Sequence, residues 1–253
     1  MIDTHAHLQW PDFNKDREQV IERAFAAGLT TIVNIGYDLN ASREAVQIAN
    51  NHKNVYAVVG IHPHNAKTIR TDVLASLREL ARAPKVVAIG EIGLDYYRNL
   101  SPRQQQIEAF EQQLHLAKEL QLPVVIHDRE AHADVMQMMR KSGKEVSGVL
   151  HCFSGSIEMA EEAIKLGYII SIAGPVTFPT ARRLHQVVER LPIESIVLET
   201  DCPWLTPQSE RGKRNEPAFV VETAHKVADL KGIEVDELAE ITSRNARQLF
   251  RIE

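Results

Sequence analysis

Val124-Val125-Ile126-His127-Asp128-Arg129 is an apolar, β-branched run that stops abruptly at a side chain able to hold a metal or move a proton. The same pattern recurs along the chain. Met1-Ile2-Asp3 opens into Thr4-His5-Ala6-His7, Val58-Val59-Gly60-Ile61 into His62-Pro63-His64, and Val86-Val87-Ala88-Ile89-Gly90 into Glu91. Val149-Leu150 gives His151, and Ile196-Val197-Leu198 gives Glu199-Thr200-Asp201. Runs that are apolar on both faces belong to parallel strands covered by helices on one side and packed side chains on the other. Reactive residues at the C-terminal ends of such strands are where α/β barrels collect their chemistry.

Working outward from these runs, strands are predicted at about 1–5, 30–36, 54–60, 86–91, 122–127, 146–151, 168–173 and 195–200. Their starts lie roughly 20 to 40 residues apart, room for a crossover helix between parallel neighbours. Helical stripes fall between them. Val20, Ile21, Ala24 and Phe25 precede a stop at Gly28, and Leu74, Leu77, Leu80 and Ala81 repeat the pattern. Ser101-Pro102 reads as an N-cap and first helical residue before Ile107, Phe110, Leu114 and Ala117. Met138 and Met139 precede Gly143, Ala160, Ala163 and Ile164 precede Gly167, and Leu184, Val187, Val188 and Leu191 stop at Pro192. From Pro217 to Phe250 two helices are expected, with a break near Gly232. No linker or composition shift divides the chain, so residues 1–253 are expected to form one TIM (β/α)8 barrel. A doubly wound open sheet also explains the alternation, but not reactive residues drawn from the first strand through the eighth.

The 253 residues are 44% hydrophobic and 25% charged, as in ordinary globular proteins. No apolar stretch approaches the ~18 residues of a membrane span, and no basic-then-apolar leader opens the chain. Cys152 and Cys202 are too few for a disulfide framework, so a cytoplasmic location is expected. A net charge of −5 argues against broad wrapping of a polyanion, though not against a phosphodiester held at one end by metal ions.

Of the 11 histidines, His5, His7, His62, His64, His127 and His151 fall at strand ends. Windows of that size cover about an eighth of a chain with eight strands, so only one or two would fall there by chance. His5 and His7, two apart on a strand, leave by the same face. Imidazoles and carboxylates gathered without a counterion are costly, and divalent ions relieve that cost. His5, His7, Glu91, His127, His151 and Asp201 exceed one tetrahedral site, so two metals are expected, with a carboxylate such as Glu91 able to bridge them. The alternative for Glu91 is an ion pair with Arg98 or Arg129. Arg129 suits phosphate or carboxylate, or a structural ion pair. Of His62 and His64, one is expected to contact substrate or leaving group and the other to support a neighbour. Ser154 and Gly155 open a helix whose N–H groups suit an anion, or simply cap it. The Arg211-Gly212-Lys213-Arg214-Asn215 loop is solvated or contacts substrate phosphates. Cys152 and Cys202 read as packing residues. His52, His115, His132, His185 and His225 lie on or near helices and read as surface or packing residues.

Thr4-His5-Ala6-His7, Gly60-Ile61-His62-Pro63-His64, Gly90-Glu91-Ile92-Gly93-Leu94-Asp95, His127-Asp128-Arg129, His151-Cys152-Phe153-Ser154-Gly155 and Glu199-Thr200-Asp201-Cys202-Pro203 together resemble the TatD family of metal-dependent deoxyribonucleases. Gly212-Lys213-Arg214-Asn215-Glu216-Pro217 and Asn245-Ala246-Arg247-Gln248-Leu249-Phe250 extend the likeness over the whole chain. The resemblance implies a barrel of the amidohydrolase superfamily, with His5, His7 and Asp201 around one metal, His127 and His151 around the other, and Glu91 bridging. Many superfamily members bridge with a carbamylated lysine at the fourth strand. Lys85 lies at the wrong end of that strand for this role.

The expected activity is hydrolysis of phosphodiester bonds at DNA ends, on single strands, by water activated between two divalent ions (Mg, Mn or Zn). Asp201 and Glu91 are the expected catalytic residues, and His62, His64, Arg129, Ser154 and Arg214 the substrate contacts. The rival reading is hydrolysis of a carboxylic ester, amide or lactone, including an aminoacyl-tRNA ester. A scaffold built on a vestigial barrel would lack the complete ligand set.

Overall fold

A computed structural model describes residues 1–252. The strands are β1 (Ile2–Ala6), β2 (Thr31–Ile35), β3 (Val55–Val59), β4 (Val86–Asp95), β5 (Val124–Arg129), β6 (Gly148–Leu150), β7 (Tyr168–Ile172) and β8 (Ile196–Leu198). All are parallel and pair in chain order from β1 to β8. Between and after them run α1 (Arg17–Ala26), α2 (Leu39–Asn51), α3 (Thr71–Leu80), α4 (Arg103–Leu120), α5 (His132–Ser142), α6 (Ile157–Lys165), α7 (Arg182–Arg190), α8 (Val220–Lys231) and α9 (Val235–Phe250). The expected TIM barrel is the fold. Among the described residues, no helix is long and apolar enough to cross a membrane.

The interior is packed rather than hollow. Val33, Val58, Val125, Val149 and Val197 form one inner cluster, with Ala246 and Phe250 of α9 packed into it. Alternation then sends the residue two places on, His127, His151 or Glu199, into the same interior at the C-terminal mouth. Lys85, by contrast, bonds the carbonyls of His52, Lys53 and Val55 at the opposite rim.

Three local readings change. Strand β4 continues four residues beyond Glu91, because its register against β5 shifts between Ile89 and Ile92. A bulge of this kind re-aims a side chain without ending the strand. Gly93 permits the extension: its φ is +133°, and a Cβ there would lie 2.0 Å from His127 O. Helix α4 starts at Arg103, while Ser101 donates to His64 O and accepts from Lys67 N instead of capping it. The cap of α6 is Ser156, which accepts from Met159 N, and Ser154 is exposed two residues earlier.

The β1–β8 seam closes through few backbone bonds, His7 N to Cys202 O at 3.0 Å and Asp201 N to His5 O at 2.8 Å. Asp3 reinforces it by accepting from Thr200 N (3.0 Å) and Thr200 Oγ1 (2.6 Å). Burial pushes the Asp3 carboxyl up to about 8 from 3.8, against the pull of those bonds. Between these values the folded protein holds a proton that the unfolded chain has released, so this group's contribution to stability falls as pH rises from about 4 to 8. Asn at position 3 keeps one acceptor and donates to Thr200 Oγ1 without titrating. In melts of metal-stripped protein, the Tm of Asp3→Asn relative to wild type is therefore expected to climb from pH 5 to pH 8. A flat difference would disprove the assignment.

Candidate metal centre

Histidines and acids carried by β4 and β5 and by the segments at or just after the ends of β1, β3, β6 and β8 meet at the mouth. Glu91, 3% exposed, stands at their centre with its two oxygens facing different neighbours. Oε2 lies 3.5 Å from His5 Nε2 and 3.7 Å from His7 Nε2, and these nitrogens are 3.1 Å apart. Asp201 Oδ1 completes that side at 3.6 and 3.5 Å from the same two nitrogens. Oε1 lies 2.8 Å from His127 Nδ1, 2.9 Å from His151 Nε2 and 3.4 Å from His62 Nε2.

These spacings test whether metal ions fit. Ligand atoms bound at about 2.1 Å to one ion lie about 3.0–3.4 Å from one another. His5, His7 and Asp201 form one group with ligand atoms within 4.8 Å of each other, and His62, Glu91 and His127 form another. A third grouping, His5, His151 and Glu199, shares His5 with the first, and its carboxylate is already engaged by Cys152 N and Ser171 Oγ. The donor set fits divalent metal ions held at this mouth.

The electrostatics agree. Burial disfavours charge on Glu91, yet His151, His62 and His127 hold its carboxyl well below the usual range. Burial likewise opposes ionisation of Asp201, and His7 and His5 overcome it. Burial opposes protonation of His151, but Glu91 and Glu199 raise it well above an ordinary imidazole. Without cations, protons on the imidazoles must balance the buried acids, the balance divalent ions would otherwise supply. Burial, helped by His127 and His64 and opposed by Glu91, pushes His62 down to about 4, leaving it neutral near pH 7.

The structure ranks the His62–His64 pair: His62, 8% exposed, joins the Glu91 cluster, whereas His64 Nε2 bonds Asp95 Oδ2 at 2.8 Å. Arg129 is exposed at the rim, its guanidinium 4.2 Å from the Tyr97 ring centroid rather than on Glu91. Arg214 departs from its expected role. Its guanidinium grips both Asp16 oxygens, at 2.9 and 2.7 Å, and covers the Phe13 ring, so it braces the loop after β1 instead of facing the cluster. Burial raises both thiols well above their usual range, which suits packing and not ligation. His115 and His225 are exposed, and His52, His132 and His185 half-buried, all on or beside helices.

Sequence reasoning passed over Asp95. It is fully buried, and its Oδ2 also lies 3.2 Å from His127 Nε2 while Oδ1 accepts from Arg98 N. Reading β4 as ending at Glu91 hid it, although an acid inside an otherwise apolar, glycine-bearing run was a usable signal. Asp95 holds the His127 ring so that Nδ1 faces Glu91. Glu199 does the same for His151, 3.3 Å from its Nδ1. Carboxylates behind ligand histidines fix tautomer and basicity, and their loss costs 10–100-fold in metal affinity or activity. Asp95→Asn is accordingly expected to weaken divalent-ion binding about 10–100-fold in calorimetric titration with the fold retained. Unchanged affinity would assign Asp95 to packing alone.

Parallel strands in chain order around a packed interior, with imidazoles and two acids converging at the C-terminal mouth, define a TIM barrel of the metal-dependent hydrolase class. The model of the family described as TatD related DNase matches residues 2–251, and the chain belongs to that family. It is 44% identical over 253 residues to the uncharacterized metal-dependent hydrolase YabD of Bacillus subtilis (strain 168), covering 100% of this chain and 99% of the relative. It is 40% identical over 257 residues to the 3'-5' ssDNA/RNA exonuclease TatD of Erwinia amylovora, covering 99% of each. The crystal structure of YjjV, a TatD homolog from Escherichia coli K12, superposes with a TM-score of 0.94 at 32% identity, covering 100% of this chain and 98% of that one.

Proposed function

We propose that the protein is a phosphodiesterase that removes nucleotides from the ends of single-stranded DNA, dependent on two divalent ions (Mg, Mn or Zn) and located in the cytoplasm. The observation that carries this reading is Glu91, which offers one oxygen to His5 and His7 and the other to His127 and His151. With ions in place, the metals would lower the pKa of the attacking water and neutralise charge on the phosphoryl oxygens.

The chain's own residues divide the remaining work. Asp201 has 15% of its side chain exposed against 4% for Glu91, and it is held ionised. It can therefore take the proton released when water attacks phosphorus. The bond from phosphorus to the departing sugar oxygen breaks, and that oxygen leaves as an alcohol once protonated. His64, with 30% of its side chain exposed and fixed by Asp95, stands where it can serve that oxygen. Arg129 offers its planar fork to a non-bridging phosphate oxygen. Neutral His62 stays with the Glu91 cluster, and Ser154 is exposed in the loop after β6, available to the anion. One barrel domain carries the whole reaction.

The test supplies metal-stripped protein with Mg, Mn, Co or Zn and presents a labelled single-stranded oligonucleotide beside an aminoacyl-tRNA and a lactone. Stepwise shortening that EDTA abolishes is the expected result. Hydrolysis of the carbonyl substrates without any phosphodiester cleavage would replace this reading by its rival.

A further inference from the structure

Among the described residues, the exposed large hydrophobic side chains are Tyr97, Leu100 and Trp204, and all three lie on loops that follow strand C-termini. Loops at this rim carry function in barrels, and apolar surface there calls for a ligand. Trp204, 41% exposed, does not stand alone. Its ring centroid lies 4.7 Å from that of Trp10, which lies 5.2 Å from that of Tyr37. Both outer rings touch a candidate ligand: His7 is 5.3 Å from Trp204 and 5.9 Å from Tyr37. The aromatic wall is thus continuous with the His5–His7–Asp201 side of the centre.

The wall is also held rigidly to that centre. Trp204 N donates to Asp201 O at 3.1 Å, Trp10 N to His7 O at 2.9 Å, and His62 N to Tyr37 O at 2.9 Å. Buried Asn215 ties down the loop further, donating from Nδ2 to the carbonyls of Thr200 and Trp204. Three loops, after β8, β1 and β2, therefore fix their aromatic residues to segments that bear the cluster's histidines and acid. The rings meet at 59° to 69°, none lying flat on another, and Trp204 remains 41% exposed to a ligand. Rigid aromatic rings beside a backbone-binding centre are how proteins take up unpaired bases, tolerant of sequence because every base has a π face.

We propose that Trp204, backed by Trp10 and Tyr37, is the shelf on which the unpaired nucleobase next to the scissile phosphate stacks. This rests on the phosphodiesterase reading and deepens it. Stacking positions the terminal nucleotide over the His5–His7–Asp201 side, and it selects single strands because a paired base cannot leave its neighbours to lie on the ring.

The experiment compares a single-stranded oligonucleotide with one carrying an abasic residue at the cleaved end, using wild type, Trp204→Ala and Trp204→Phe. Binding is followed by tryptophan fluorescence with the metal withheld, and cleavage with the metal supplied. Wild type is expected to bind and cleave the abasic strand about tenfold less efficiently. Trp204→Ala should show about that loss on the normal strand and no further loss on the abasic one, mainly through KM, while Trp204→Phe recovers most of it. Equal handling of both strands by wild type, or an additive loss in Trp204→Ala, overturns the shelf. Base- and Trp204-dependent binding without cleavage upholds the shelf while rejecting the phosphodiesterase reading, and cleavage indifferent to the base does the reverse.

Discussion

Glu91→Gln is expected to lower kcat/KM on a single-stranded oligonucleotide by about three orders of magnitude, roughly 4 kcal/mol. The substitution changes almost no volume, so packing at this 3% exposed position survives. What it removes is the one negative charge that both clusters share. Oε1 has His127 and His151 within 2.9 Å, and Oε2 has His5 within 3.5 Å. A neutral amide offers a weaker ligand on one side and an N–H on the other, which repels a cation. Bound metal should fall below two ions per chain at concentrations that saturate the wild type. Glu91→Asp is expected to fare little better, because a side chain one methylene shorter cannot reach both groups. Circular dichroism separates loss of the centre from loss of the fold. Activity of Glu91→Gln within tenfold of wild type, with metals supplied, would refute the bridging role.

Asp201→Asn is the second large effect, and it is expected in kcat. A positioned base contributes about 10²–10⁴ to a rate, and asparagine keeps the size and a ligand oxygen while losing basicity. Asp201 Oδ1 sits 3.5–3.6 Å from both His7 and His5, so the substitution weakens the hold on metal at that side while the His pair and Glu91 remain. At saturating metal, kcat should drop about 10²–10⁴-fold with KM changed far less, the pattern of an interaction made only in the transition state. A rise in KM at unchanged kcat would instead make Asp201 a substrate contact, and Glu91 would have to be reconsidered as the proton acceptor.

Both predictions concern residues that were legible in the chain, for a physical reason. A parallel strand declares itself by a β-branched run, and a ligand at its end is adjacent in sequence to that run. His127 follows Val124-Val125-Ile126, and His151 follows Val149-Leu150. Inward Val125 and Val149 fix the facing of the ligand two residues later by simple alternation. Helix α2, though regular and capped by Asp38, has no counterpart among the helices expected from the sequence. Its buried face is built mostly of small residues, Ala41, Ser42, Ala45 and Ala49 beside Val46 and Ile48, and lacks the leucines that mark the stripes of α3 and α4.

Alternation stops informing where the backbone leaves the strand. Asp201 has φ +56° and Cys152 +43°, so what they face is set by turns rather than by parity. Arg214 was read toward substrate from its place in a basic loop, but Asp16, 198 positions away, claims it. Asp95 was concealed because the register shift in β4 carries the strand past its apparent end.

The order of strands, the barrel and the roster of imidazoles and acids at its mouth were thus determined by local pattern, which is short-range and written in consecutive residues. Only the tertiary structure decided which nitrogen faces which Glu91 oxygen, that His62 joins the cluster while His64 turns to Asp95, and that Trp10, Tyr37 and Trp204 form a wall. Those outcomes depend on bulges, turns and contacts between segments up to about two hundred residues apart, where packing and hydrogen-bond geometry, and not periodicity, select the partner.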